Sequence, residues 1–150
     1  MMAIENLWGE FLQVNKTRTP YHILWEQAKL LGNMTKNELT GEIERHTKRS
    51  NLLDEGFILE FLIFAPVLDY TYSVLSVRHG ITMYPLRISS STGKSDKCEN
   101  EEEFLKSLKE VLSSEHLKKV IAGLLTQIQG DGVSTKSLPT DNKGITINEL

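Results

Sequence analysis

The sequence predicts an α+β protein: a four-stranded antiparallel β-sheet with N-terminal and C-terminal helices packed on one face. Segments with apolar residues at helical spacing stand at both ends of the chain, and strand-like segments stand together in the middle. Strands grouped in this way and joined by short turns favour antiparallel pairing over the alternating strand–helix order of a parallel sheet.

Two helices are predicted before the strands. The stretch from Ile4 to Val14 has apolar residues at helical spacing, and a second helix begins at Pro20, whose missing N–H suits the first helical position. Thr19 stands before Pro20 as an N-cap, and Gly32 follows the last apolar residue, as is typical of a helix end.

The middle of the chain predicts four strands. The first, in ELTGEIERHTKRS, alternates between two faces and is half buried, and the second, in FILEFLIFAPVLD, is almost continuously apolar, which indicates a central strand. Pro66 cannot donate to a ladder, so it is expected at a bulge or an edge. YTYSVLSVRHG and ITMYPLRISSS supply the third and fourth strands.

The rest of the chain predicts a loop, two helices and a tail. Residues 89–100 are polar and are expected to form a loop, in which Cys98 is exposed. Two helices with apolar stripes follow, the first opened by acidic residues and the second capped by Ser113 or Ser114. Residues 1–130 are therefore predicted as a single α+β domain, and residues 131–150, which have no sustained period, as a flexible C-terminal tail.

The composition of the chain disfavours several classes of function. The 150 residues carry a net charge of −3, whereas a dedicated duplex-binding protein is usually strongly basic. A single cysteine makes no internal disulfide and no thiolate zinc site. The N-terminus lacks the features of a signal peptide, and the longest apolar run is interrupted by Glu60 and Pro66, so a cytoplasmic protein without a membrane segment is expected.

One candidate binding surface lies on the third and fourth strands. An ideal third strand places Tyr70, Tyr72 and Arg78 on one face and His79 on the other, and Tyr84 and Arg87 follow on the fourth. Aromatic and arginine side chains on an open sheet face resemble the surfaces on which proteins stack single-stranded bases. The simpler interpretation is that these residues are the solvated polar side chains of an ordinary sheet and have no binding role.

A second candidate is a row of carboxylates and a histidine. Glu42, Glu44 and His46 share one face of the first strand, and Glu60 lies on the second. Such a row suits a metal-dependent hydrolase or nuclease only if the side chains converge. Because HExxH, CxxC and an Asp-rich loop are all lacking, no metal and no cofactor are predicted.

The sequence therefore favours a small protein-binding or regulatory module over an enzyme. The apolar helical bands and an open sheet supply surfaces for a protein partner or for self-association into a homodimer. Metal-dependent hydrolysis by the carboxylate–histidine cluster is the first alternative, and single-stranded nucleic-acid binding on the sheet face is the second.

Overall fold

The computed structural model of the chain describes residues 4–10, 18–48 and 56–132. It has three α-helices, a five-stranded sheet and two short helical turns within that part of the chain. In chain order the elements are α1 (Pro20–Met34), β1 (Thr40–Lys48), β2 (Gly56–Ala65), a 3₁₀ turn (Pro66–Leu68), β3 (Tyr70–His79), β4 (Leu86–Ser90), β5 (Ser95–Cys98), α2 (Glu101–Leu112), α3 (Glu115–Gln127) and a π-helical turn (Ile128–Gly132). The α+β class and the antiparallel sheet are confirmed, whereas the prediction of four strands is wrong because the sheet has five.

The fifth strand forms within the stretch predicted as a polar loop. Ser90 N donates to the Lys94 carbonyl at 2.8 Å, and Gly93 takes a φ of +97°, so a tight turn joins β4 to β5. β5 pairs antiparallel with β4, with Cys98 opposite Leu86. Cys98 is fully buried, so the expectation of an exposed cysteine is wrong: pairing with β4 directs its side chain into the core.

Helix α1 begins where its sequence predicts. Thr19 Oγ1 accepts a hydrogen bond from His22 N at 3.1 Å, which confirms the N-cap, and Pro20 occupies the first turn. The helix continues to Met34 and ends at Thr35, whose hydroxyl donates to the Leu31 carbonyl at 2.9 Å.

The predicted helix from Ile4 to Val14 does not form over residues 4–10, and residues 11–14 lie outside the described part. Ile4 and Leu7 are 96% and 84% exposed. An isolated helix this short gains too little from its own hydrogen bonds and needs tertiary packing of its apolar stripe.

The five strands form a simple meander in the order β1-β2-β3-β4-β5, and the register defines two faces. Residues that pair directly across strands share a face, so the faces can be followed from one strand to the next. The apolar face carries the buried side chains Leu59, Phe61, Ile63, Leu75, Val77, Leu86, Ile88 and Cys98. The polar face carries Glu42, Glu44, His46, Glu60, Ser76, Arg78, Arg87, Ser89, Ser95 and Lys97.

A β-bulge interrupts the pairing of β2 with β3. Phe61 pairs with Leu75 and Leu62 pairs with Ser73, so Val74 is an extra residue on β3. Val74 is only 1% exposed. Beyond it, the alternation of β3 between the two faces is reversed.

Close contacts seat α1 on the sheet. A Cβ atom on Gly41 of β1 would lie 2.6 Å from both Cα and Cβ of Ala28, so this glycine lets the helix approach the strand backbone. The guanidinium of Arg45 lies 4.4 Å from the centre of the Tyr21 ring, which adds a cation–π contact along the same interface.

The π-helical turn that follows α3 packs against the core through Ile128. Ile128 is buried in the same core as the sheet. Residues 131 and 132 of the predicted tail belong to this turn, and residues 133–150 lie outside the described part of the chain. None of the described helices is both long and apolar enough to cross a bilayer.

Candidate functional site

Two rows of side chains cross the polar face at right angles to the strands. Direct pairing gives one row of two carboxylates and three hydroxyls, and a neighbouring row that is mainly basic. The first row is Glu44, Glu60, Ser76, Ser89 and Ser95, and the second is His46, Ile58, Arg78, Arg87 and Lys97. Acidic groups thus lie at the β1 side of the face, and basic groups continue across it to β5.

The structure brings three of the four predicted carboxylate–histidine residues together. His46 Nε2 lies 3.6 Å from Glu44 Oε1 and 3.4 Å from Glu60 Oε1. One ligand atom from each of the three residues falls within 4.8 Å of the others. We call these three residues the Glu–His–Glu cluster. Glu42 is on the same face, two residues before Glu44 on β1, and is not part of it.

The cluster is accessible to solvent. The side chains of Glu44 and His46 are each 53% exposed and that of Glu60 is 35% exposed. The arrangement can bind a cation, because two carboxylate oxygens and an imidazole nitrogen lie close enough together to share one ion.

The predicted stacking surface is not assembled. Because of the bulge at Val74, Tyr70 and Tyr72 share the apolar face with Leu75, while Arg78 lies on the polar face. The expectation that Tyr72 and Arg78 share a face is therefore wrong: an extra residue in the strand shifts the alternation by one.

Tyr72 has a structural role instead. Its hydroxyl lies 3.0 Å from Ser91 Oγ and 3.0 Å from His116 Nε2, so it links β3 to the turn before β5 and to the start of α3. His79, at the end of β3, lies on the apolar face, where its ring contacts Phe57 with centroids 5.3 Å apart.

Of the predicted binding residues, Arg78 and Arg87 lie next to each other on the polar face. They are direct partners across β3 and β4, and both are exposed. Arg87 Nη1 donates to Ser95 Oγ at 3.1 Å. Their like charges lie side by side on an open face, which is unfavourable by itself and suits an anion.

Tyr84 lies in the loop between β3 and β4, not on a strand. Its hydroxyl is buried and makes no hydrogen bond among the described residues. Burial, followed by the negative charges of Glu101 and Cys98, raises the pKa of Tyr84 to about 12, although Arg18 acts in the opposite direction. The ring is half-buried and packs against the core, whereas stacking of a base needs an exposed ring face.

The sequence did not identify a groove that the helices form over the apolar face. Phe61 and Ile63 form its floor, and α1 and α3 form its walls. Its volume is about 160 Å³. Leu30 and Met34 stand on the α1 rim and are 48% and 74% exposed. The signal in the sequence was the broad apolar band of the last predicted helix.

No protein-family model, no curated protein and no solved structure matches this chain. The geometry of its own residues therefore carries the functional argument.

Proposed function

We propose that the protein is a recognition module that associates with a second copy of itself through the groove between α1 and α3. The supporting observation is that one surface carries both projecting apolar side chains and a cavity that can receive them. A two-fold dimer places the same patch of both chains in contact, so a self-complementary patch is what it requires.

The chemistry of the rim fits this proposal. Met34 is 74% exposed beside a groove lined by Leu31, Phe61, Leu117 and other apolar residues. A methionine side chain is unbranched and polarizable, so it fits irregular apolar gaps well. In the proposed dimer, Met34 and Leu30 of each chain enter the groove of the other.

The size of the groove disfavours a cofactor. Sites for small molecules usually enclose about 300 to 1,000 Å³. The groove encloses about 160 Å³, and its lining offers few groups able to orient a polar ligand. An apolar side chain from a protein surface is the better occupant.

The proposal places the three described helices on the apolar face of the sheet and none of them on the polar face. One contact from each helix supports this arrangement. Ala28 of α1 lies against Gly41, Ser107 of α2 lies 3.6 Å from Cys98 Sγ, and His116 of α3 lies 3.0 Å from the Tyr72 hydroxyl. The three sheet residues in these contacts all belong to the apolar face.

Light scattering after size-exclusion chromatography tests the proposal. The unaltered chain is expected to elute as a dimer, and Met34→Glu as a folded monomer, because a carboxylate on the rim would be buried without a partner. Ile81→Glu is the matched control, since Ile81 is 84% exposed in the β3–β4 loop and is not among the residues that line the groove. A monomeric unaltered chain, or a Met34→Glu dimer, would refute self-association through the groove.

The two alternatives draw less support. Single-stranded nucleic acid would need Tyr72 and Arg78 on one face, and they lie on opposite faces. Hydrolysis by the Glu–His–Glu cluster would need a cleft that positions a substrate, whereas Glu44 and His46 are each half exposed on an open sheet face.

A further inference from the structure

We infer that the Glu–His–Glu cluster is a binding site for a divalent cation of the zinc type, held by Glu44, His46 and Glu60 on the polar face. This inference is independent of the proposed dimer, because the groove lies on the other side of the sheet. It assigns binding and no catalysis to the cluster.

The sheet holds the three donors in place. Glu44 and Glu60 are direct partners across β1 and β2, and His46 lies two residues after Glu44 on the same face. Residues on paired strands keep a fixed spacing, so the donors are brought together by the backbone and not by a mobile loop.

Two of the three separations between donor atoms agree with tetrahedral coordination, and the third lies within 4.8 Å. Ligand atoms about 2.0 to 2.2 Å from a tetrahedral ion are separated by about 3.3 to 3.6 Å, as follows from the angles of a tetrahedron. The two distances from His46 Nε2 to the carboxylate oxygens are 3.4 and 3.6 Å. An octahedral magnesium site would bring neighbouring ligands to about 2.9 Å.

The donor types point the same way. Imidazole suits zinc, copper, iron and nickel, whereas calcium and magnesium take oxygen ligands. The cluster supplies one imidazole nitrogen and two carboxylates, and a fourth ligand can come from water on the exposed side.

The electrostatics of the two strands give a separate reason for a cation. Like charges placed directly opposite each other on neighbouring strands are destabilising, and Glu44 and Glu60 are such a pair. Among the side chains that the structure describes, His46 lies within ion-pair distance of both carboxylates. A bound divalent ion would neutralise both carboxylates and connect β1 to β2.

Zinc titration of the full-length chain in competition with a chromophoric chelator tests the inference at neutral pH. The expected stoichiometry is one ion per chain. Glu60→Gln and His46→Gln are each expected to weaken binding at least about tenfold, because even an outer-shell partner of a metal ligand is worth about 10- to 100-fold.

Glu42→Gln is the matched control. It removes the same charge from the same face of β1 without touching the cluster, so its affinity should stay close to that of the unaltered chain. Circular dichroism checks that each variant is folded. Replacing zinc by cobalt(II) gives a second readout, because a tetrahedral site produces a strong visible absorption that an octahedral one lacks.

Three outcomes would overturn the inference. They are the absence of stoichiometric zinc binding, retained affinity in Glu60→Gln and His46→Gln, or an equal loss in Glu42→Gln. The last result would show that zinc responds to the general negative charge of the strand and not to three positioned ligands.

Discussion

At the scale of single residues, the Tyr84 hydroxyl is a source of instability. It is buried without a hydrogen-bond partner among the described residues. A buried polar group without a partner costs about 1 to 3 kcal/mol. We therefore expect Tyr84→Phe to increase the free energy of unfolding by about 1 kcal/mol at neutral pH, measured by denaturant titration.

The gain from Tyr84→Phe is expected to grow in alkali. The pKa of Tyr84 is about 12 in the folded chain and 10.0 in its ordinary state, so above pH 10 the unfolded chain releases a proton that the folded chain retains. Stability present below pH 10 is thus lost as the pH rises toward 12, and the phenylalanine variant escapes this loss. Tyr72→Phe is the control: it removes a bonded hydroxyl and should destabilise. A Tyr84→Phe variant less stable than the unaltered chain would contradict the prediction.

Cys98 shows what single-residue inference from sequence misses. Its neighbours Ser95, Asp96 and Lys97 are polar, which predicted an exposed loop, yet its side chain is fully buried. Burial raises the pKa of the thiol, and the nearby Asp96 and Glu103 act in the same direction, although the hydrogen bond with Ser107 opposes them. Only the pairing of β5 with β4, a contact along the sheet, determines this outcome.

At the scale of elements, the capping and alternation of the sequence predicted most of the fold. The start of α1, the pattern of β1 and the Ser114 cap of α3 all follow from local chemistry. The bulge at Val74 does not, because it depends on how β3 registers against β2. That one extra residue places the tyrosines of β3 and Arg78 on opposite faces of the sheet.

The Glu–His–Glu cluster also depends on the register between two strands, which the sequence alone does not give. Alternation along β1 placed Glu44 and His46 on one face, which the sequence could predict. Whether Glu60 joined them depended on the length of the β1–β2 connection, which sets the register. A shift of one residue would have placed Glu60 on the other face.

The contact of α1 with β1 gives a prediction at this scale. Gly41→Ala adds a Cβ atom 2.6 Å from the Cα and Cβ atoms of Ala28, so the helix must move away from the strand. Overpacking of this kind costs about 1 to 3 kcal/mol. We expect a loss of about 2 kcal/mol in the free energy of unfolding, measured by denaturant titration.

Gly123→Ala is the matched control for Gly41→Ala. Gly123 lies in α3, and nothing stands within 4 Å of the position that a Cβ atom would take. Alanine stabilises a helix interior by about 0.8 to 1.0 kcal/mol relative to glycine, so this variant should gain stability. If Gly41→Ala is as stable as the unaltered chain, the close approach of α1 to β1 is not a constraint on the fold.

At the scale of the whole molecule, the two faces of the sheet carry different groups of side chains. The apolar face supplies the core and, with the helices, the groove, whereas the polar face supplies the Glu–His–Glu cluster and the basic row. The proposed dimer and the proposed cation site therefore use separate surfaces. A variant that abolishes one is expected to leave the other intact, and this allows the two proposals to fail independently.

The described core ends before the segment predicted as a flexible tail. The buried apolar side chains of the described core lie between Ile23 and Ile128, so a chain shortened to end at Gly132 retains all of them. We expect its free energy of unfolding to stay within about 0.5 kcal/mol of the full chain, as for changes away from buried features. Its mass by light scattering should also match that of the full chain, because the described residues that line the groove lie between Gln27 and Ile121 and are all retained. A monomer formed only by the shortened chain would place residues 133–150 at the dimer interface, and a large loss of stability would show that they belong to the folded domain.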